Sequence, residues 1–185
     1  LSPMKSLARL IIRLSGWKVE GTFGPELRNC IIIVAPHTSQ WDFIFGVLAR
    51  TIYGIKAKYL IKNSFFKPGI AWFFHMTGGI AVDRSQKNEL TNRLKQMLKN
   101  GEELKITFTP EGTRKRVDRW RSGFYWTAID TGLPIVAHYI DYKTKTVGQF
   151  APFAPTGDWE VDKLHFQNLY KDVNACHPEN FNHEF

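Results

Sequence analysis

Cysteine is nearly absent from this chain: among 185 residues only Cys30 and Cys176 carry a thiol. Cys30 sits in an apolar run and reads as core, Cys176 in a polar stretch, so no disulfide framework is implied. That usage fits a reducing, cytosolic environment. Long hydrophobic runs are missing as well. No stretch reaches the roughly 18 apolar residues that a spanning helix needs, so the chain as given is not expected to cross a membrane by itself. Residues 1–17 do not form a signal peptide, because Lys5, Arg9 and Arg13 interrupt the apolar pattern at every turn. Acid is in short supply: 17 Asp and Glu stand against 25 Lys and Arg, giving a net charge of +8. That balance predicts attraction to something anionic, whether nucleic acid, a membrane surface or a phosphorylated substrate. Internal repeats, low-complexity tracts and any serine or cysteine nucleophile motif are all lacking.

What is present is a folded chain of one domain, 43% hydrophobic and 14% aromatic. Leu7, Leu10, Ile11, Leu14 and Trp17 recur at helical spacing, and Lys5, Arg9 and Arg13 stack on another face. Residues 1–17 are therefore a basic amphipathic helix, either a monotopic membrane anchor or a surface helix packed on the domain. Gly21 to Asn29 make a loop or an edge hairpin. Strands are expected at 30–35, 58–62, 79–83, 104–109, 134–140 and near 145–150. Helices are expected at 43–54, 89–99, 122–131 and 158–173. In the aromatic segment 64–75, Pro68 suggests a helix start, and its bulky rings read as core rather than as the lining of a cleft. The alternation predicts an α/β fold: one domain, a mixed and mostly parallel sheet flanked by helices, preceded by the amphipathic helix.

Chemistry gathers where strands end. The run Cys30 to Ala35 leads into Pro36-His37-Thr38-Ser39-Gln40-Trp41-Asp42. A buried strand thus delivers a histidine and an aspartate to its carboxyl end, where open α/β sheets place their sites. A histidine oriented by a carboxylate removes a proton from a hydroxyl near neutral pH. The two meet only if His37 stands just before a helix and Asp42 lies in its first turn. Ser39-x-x-Asp42 also has capping-box form, so Asp42 has a structural reading beside the catalytic one. Pro110-Glu111-Gly112-Thr113-Arg114 follows another apolar strand and assembles a turn glycine, a hydroxyl, backbone amides and a guanidinium. Those are parts of a phosphate or carboxylate site, or of a solvated surface turn. Gly79 to Arg84 puts an arginine beyond a third strand.

Together these segments resemble the glycerolipid acyltransferases, typified by the lysophosphatidate (1-acylglycerol-3-phosphate) acyltransferases. That family's first block, a His, four residues and an Asp, is matched by His37 and Asp42. The second, a glycine-led strand ending in arginine, is matched by Gly79 and Arg84. The third is matched without change by Pro110 to Arg114, and the fourth, an apolar strand containing proline, by Leu133 to Val136. The blocks occur in the family's order. The fourth lacks a second proline and has Ala137-His138 in its place; Asp83 precedes Arg84; and the third continues into Lys115-Arg116 where many members have serine.

The resemblance implies an acyltransferase domain over residues 18–185. It would move a fatty acyl group from a thioester, on coenzyme A or acyl carrier protein, to a hydroxyl of a lysolipid. His37 would be the base and Asp42 its partner, Arg84 and Arg114 would hold the acceptor's phosphate, and Glu111, Gly112 and Thr113 would shape that site. No cofactor or metal is required, since the thioester is itself a substrate. The protein is expected to lie peripherally on the cytoplasmic face of an anionic membrane. The reading from another class is a basic nucleic-acid-binding domain using the 114–121 cluster. No recognisable nucleic-acid-binding motif supports it.

Overall fold

A computed structural model describes residues 3–62, 67–82 and 87–185. In chain order the elements are α1 (Pro3–Leu14), β1 (Lys18–Val19), β2 (Cys30–Ala35), α2 (Gln40–Tyr53), β3 (Lys58–Lys62), α3 (Ala71–Thr77), β4 (Gly79–Val82) and α4 (Lys87–Lys99). They continue with β5 (Lys105–Phe108), α5 (Gly123–Thr131), β6 (Ile135–Asp141), β7 (Thr146–Gln149) and α6 (Trp159–Tyr170). The strands form one sheet in the order β1-β7-β6-β2-β5-β3-β4. Every neighbouring pair is parallel except β6 and β7, so β1 and β7 run against the other five.

The run richest in isoleucine takes the middle. β2 lies between β6 and β5, with Ile31 level with both Ile135 and Ile106, and Ile33 level with Ala137 and Phe108. A strand buried on both faces needs apolar residues at consecutive positions rather than alternate ones, which is what Ile31-Ile32-Ile33 supplies. Ile31 and Ile33, with their neighbours Ile106 and Ile135, join the core built with Leu94 of α4, Phe124 of α5 and Phe166 of α6. On the other face Val34, Ile140 and Val147 pack with Ile12 of α1 and with Phe45 and Ala49 of α2. Burying such a side chain contributes roughly 1.5–3 kcal/mol, so the two faces supply most of the driving force.

The alternation of strands and helices emerges as expected, with boundary shifts of a few residues. Three points need comment. Of the two readings for 21–29, the loop is the one seen. It contains a 3-10 turn at Pro25–Leu27, and β1, two residues long, pairs in parallel with the distant β7. The aromatic segment is not core where it is described: α3 begins at Ala71, beyond Pro68, has no buried residue, and leaves Trp72 63% exposed. This helix lies beside the edge strand β4, and its Trp72 and Met76 are exposed among the described residues. Asp83, Arg84 and residues 63–66 lie outside the described residues. Finally, α1 packs on the domain and keeps a row of apolar residues exposed. Ala8 and Ile12 are buried, and just past the helix Trp17 stacks on Phe45 at 3.9 Å. Met4, Leu7, Leu10, Ile11 and Leu14 stay exposed. No described helix is long and apolar enough to cross a membrane.

Candidate active site

Because β2 and β5 are adjacent and parallel, the segments following them leave the sheet side by side at its carboxyl end. Ala35 is followed by a cis peptide bond to Pro36 and then by His37. Ser39, extended at φ −136°, caps α2, and its hydroxyl accepts from the Trp41 N–H at 3.2 Å. Asp42 is therefore in the first turn, the arrangement that lets it reach back to His37.

Asp42 is the most heavily engaged side chain of the site. Its Oδ2 accepts from the N–H groups of Thr38 and Ser39, each at 2.7 Å, and its Oδ1 accepts from the Tyr142 hydroxyl at 2.6 Å. His37 Nδ1 stands 3.5 Å from Oδ2, an ion-pair distance that a substrate complex can shorten. The Asp42 side chain is 1% exposed and that of His37 22%. Burial pushes the Asp42 carboxyl up, but its contacts with His37, Tyr142 and the Ser39 N–H outweigh that and hold it below its ordinary value. It is thus a carboxylate, and facing Nδ1 it leaves Nε2 as the nitrogen free to take a proton.

Glu111 is not at the surface of a phosphate site. It is 3% exposed, behind His37, and its Oε2 accepts from the His37 backbone N–H at 2.8 Å. Burial raises its carboxyl to about 8, helped by nearby Asp42 and opposed by the His37 N–H. At neutral pH it is mostly a neutral acid that pins the backbone of the histidine. The turn that carries it closes through Gly112 N–H to Thr109 carbonyl at 3.0 Å, with Gly112 at φ +66°. A Cβ on Gly112 would come within 2.8 Å of Arg121 Nε. Glycine therefore serves twice, for its left-handed backbone and for the guanidinium lying over it.

His37, Asp42, Gly112 and Arg121 line a cavity of about 1010 Å³, at the upper end of the roughly 300–1,000 Å³ typical of ligand sites. Its wall continues along α2 through Gly46 and Ala49 to Val34, Ile55, Ala57 and Ile140. Thr113 and Arg114 do not line it, and Arg114 is exposed. Arg121, from the 114–121 basic cluster, takes the place at the wall instead. Residues beyond the expected blocks complete the frame. Tyr142, held by its N–H to the Asn174 carbonyl at 2.8 Å, follows β6, and the His177 N–H donates to Thr38 Oγ1 at 3.1 Å. The contact between Tyr142 and Asp42 spans 100 positions and has no local signature in the sequence. Arg121 was open to detection, as the cation immediately before a helix start.

A family model described as Acyltransferase matches residues 18–141. The chain belongs to the acyltransferase family. The matched stretch holds His37, Asp42 and the Glu111–Arg114 run and stops one residue before Tyr142. The fold of this acyltransferase is similar to that in the crystal structure of the 1-acyl-sn-glycerophosphate (LPA) acyltransferase PlsC from Thermotoga maritima. The TM-score is 0.58 at 17% identity, over 93% of this chain and 80% of that one. No curated protein matches the chain in sequence.

The buried acid gives a stability test. The unfolded chain releases the Glu111 proton around its ordinary value of 4.5, whereas the folded protein keeps it to about 8. Folding takes up a proton in that window, so this residue's contribution falls as pH rises from about 4.5 to about 8, by up to about 1.4 kcal/mol per pH unit. Glu111→Gln keeps an acceptor for the His37 N–H and removes the proton. Denaturant unfolding across pH 5–8 (a range set by that window) should show the variant gaining on the wild type as pH rises. Parallel stability curves would mean that Glu111 is already ionised in the folded state.

Proposed function

We propose that this acyltransferase moves a fatty acyl group from a thioester, on coenzyme A or acyl carrier protein, to a hydroxyl of lysophosphatidate or a similar lysolipid. The observation that carries the reading is the His37–Asp42 pair standing on the wall of a large, mainly apolar cavity. The name of PlsC, which shares the fold, points to the same acceptor. His37 Nε2 takes the proton of the acceptor hydroxyl as that oxygen attacks the thioester carbonyl. Asp42 holds the ring and stabilises the imidazolium. Collapse of the tetrahedral intermediate breaks the carbon–sulfur bond, and the imidazolium proton goes to the leaving thiolate. Direct attack needs no nucleophile from the protein. The acyl chain lies along Val34, Ala49, Ile55 and Ala57, each buried methylene contributing about 0.8 kcal/mol.

Arg121, over Gly112 at the cavity wall, grips the acceptor's phosphate with Arg114 beyond it, and Arg84 remains a third candidate by its place in the family pattern. A guanidinium suits this task because its planar fork meets two phosphate oxygens at once. Membrane-dissolved substrates need a docked enzyme, and α1 has the means. Its exposed leucines enter the acyl boundary while Lys5, Arg9 and Arg13 face lipid phosphates. These three cations line a second hollow of about 440 Å³ between α1 and α2. Each cation near an anionic surface contributes roughly 1 kcal/mol, reduced by salt.

Acyl transfer from labelled acyl-coenzyme A and acyl carrier protein to a panel of lysolipids tests the reaction. His37→Ala should lose roughly 10²–10⁴-fold in rate while staying folded; near-normal turnover of a folded variant would remove the mechanism. Arg121→Ala should raise KM for a phosphate-bearing acceptor by about tenfold or more and Arg114→Ala by less, with KM for the thioester little changed. Equal changes for donor and acceptor would assign Arg121 to the coenzyme's phosphates. Replacing Leu7 and Leu14 with serine touches no buried contact and should weaken sedimentation with anionic vesicles. If sedimentation is unchanged, the docking surface lies elsewhere.

A further inference from the structure

The hollow of about 440 Å³ beside α1 is separate from the catalytic cavity and differs from it in charge. Lys5, Arg9 and Arg13 line it, together with apolar Ile12 and Ile52 and with Thr22 from the segment after β1. The three cations recur every four residues, so they project from one flank of α1, about 6 Å apart along its axis. None of them has an ion-pair partner among the described residues. Helix α1 contains no acid, and no described acid lines the hollow. Glu20, just after β1, is committed elsewhere. Its carboxylate pairs with Lys18 at 2.6 Å and accepts from the Tyr139 hydroxyl at 3.3 Å.

Like charges four residues apart on a helix repel and destabilise it. Two such pairs in succession, relieved by no acid, mark a place where an anion belongs. General attraction to an anionic surface does not account for their direction. At 3.6 residues per turn, the cations are centred about 160° around α1 from the exposed row of Met4, Leu7, Leu10, Ile11 and Leu14. With that row in the acyl boundary, the cations lie on the upper flank of a rod roughly 10–12 Å across. That is headgroup depth, and there they open onto the hollow of the protein. A phosphate at this depth meets two guanidinium forks and an ammonium around one space. Three cations without an acid also favour a ligand with more than a single charge. A phosphate monoester carries about −1.5 to −2 at neutral pH, whereas the diester of an ordinary phospholipid carries a single one.

We propose that this hollow is a seat for a phosphate monoester headgroup, and that through it the enzyme gathers on surfaces rich in such lipids. The proposal rests on the docking of α1 given above, not on acyl transfer. The seat is distinct from the place of the reacting acceptor. Ile52 and Tyr53, which line the hollow, are in the last turn of α2, while Asp42 is in its first. Ten residues of helix put about 15 Å between those levels, so a monoester held here is not the one whose hydroxyl faces His37.

Sedimentation of the full chain with two kinds of phosphatidylcholine vesicle tests it, one containing phosphatidate and the other phosphatidylglycerol at matched surface charge. Binding to the monoester vesicles should be at least about tenfold tighter. That preference should fall to near unity when Arg9→Gln is combined with Arg13→Gln, and also in Thr22→Trp, which fills the hollow and keeps every charge. It should persist when Arg93→Gln is combined with Lys99→Gln, which removes the same charge from α4 on the other face of the sheet, and in Arg121→Ala. Equal wild-type affinity for the two vesicles would overturn the proposal, and so would a preference that survives the Arg9 and Arg13 changes or is lost in Arg121→Ala. Glycerol 3-phosphate, a monoester without chains, separates free ester from lipid by calorimetry. Saturable binding that the Arg9 and Arg13 changes remove assigns the seat to phosphate monoesters at large; no binding, with the vesicle preference intact, assigns it to the lipid. If neither vesicle binds, the docking of α1 is overturned and the seat stands only on such glycerol 3-phosphate binding. Without that binding both are overturned.

Discussion

One buried carboxylate holds the site in register. Asp42 is almost wholly enclosed, and a charge taken out of water to that extent is sustained only when several donors point at it. Two backbone N–H groups, one phenol and the His37 ring do so. Each donor comes with a structural consequence. The Thr38 and Ser39 amides start α2, and the Tyr142 hydroxyl ties the end of β6 to that start. The capping and catalytic readings of Asp42 are therefore not rivals. A carboxylate that caps the helix is by that act fixed in rotamer and kept ionised, which is what a histidine partner requires. Tyr142 in turn packs edge-on against Trp17, which stacks on Phe45. The geometry of the pair thus depends on core packing between α1, α2 and β6.

How much was legible follows from how local each signal is. Parallel strands announce themselves as unbroken apolar runs, and the segments after Ala35 and Phe108 declare their chemistry through residue type. That those segments meet depends on β2 and β5 being neighbours, which four blocks in family order imply and single-strand patterns do not. Glu111 could be identified as part of the site, but not as lying behind His37. A carboxylate in a polar turn looks exposed until the turn is folded against its neighbour. Arg114 and Arg121 are indistinguishable by composition. Which one reaches the cavity is decided by the turn at Gly112, whose missing side chain leaves room for Arg121. Tyr142 and His138 lay beyond local reasoning altogether, since their partners come from other strands and helices. The exposed rings of α3 misled because aromatic content predicts burial only when something lies opposite, and β4 is the sheet's edge.

The electrostatic layout matches a reaction at a boundary between oil and water. On the buried side of the pair, Glu111 is mostly neutral and His138 is neutral, so of these three groups only Asp42 carries charge. Arg121 and the neighbouring cations stand on the outer side, giving the excess positive charge a direction. In the proposed reaction an uncharged chain would lie inward and a phosphate outward, with His37 between them. The same enclosure explains why Glu111 stays neutral: ionised, it would be a second buried carboxylate close to that of Asp42.

Helix α2 links these regions mechanically. Its first turn carries Asp42, its middle turns supply Gly46 and Ala49 to the cavity wall, and its last residue, Tyr53, contacts His138. Fourteen residues make a rod of about 21 Å, packed on one side against the sheet and on another against α1. A helix of that length moves as a unit. If α1 lies on a bilayer, its packing against α2 sets the height of the cavity and of His37 above the lipid, without a flexible joint. Removing α1 would then do more than free the protein from the surface. It would uncover Phe45 and Ala49, the residues that seat the rod on which Asp42 is mounted, so docking and catalytic geometry share one packing interface.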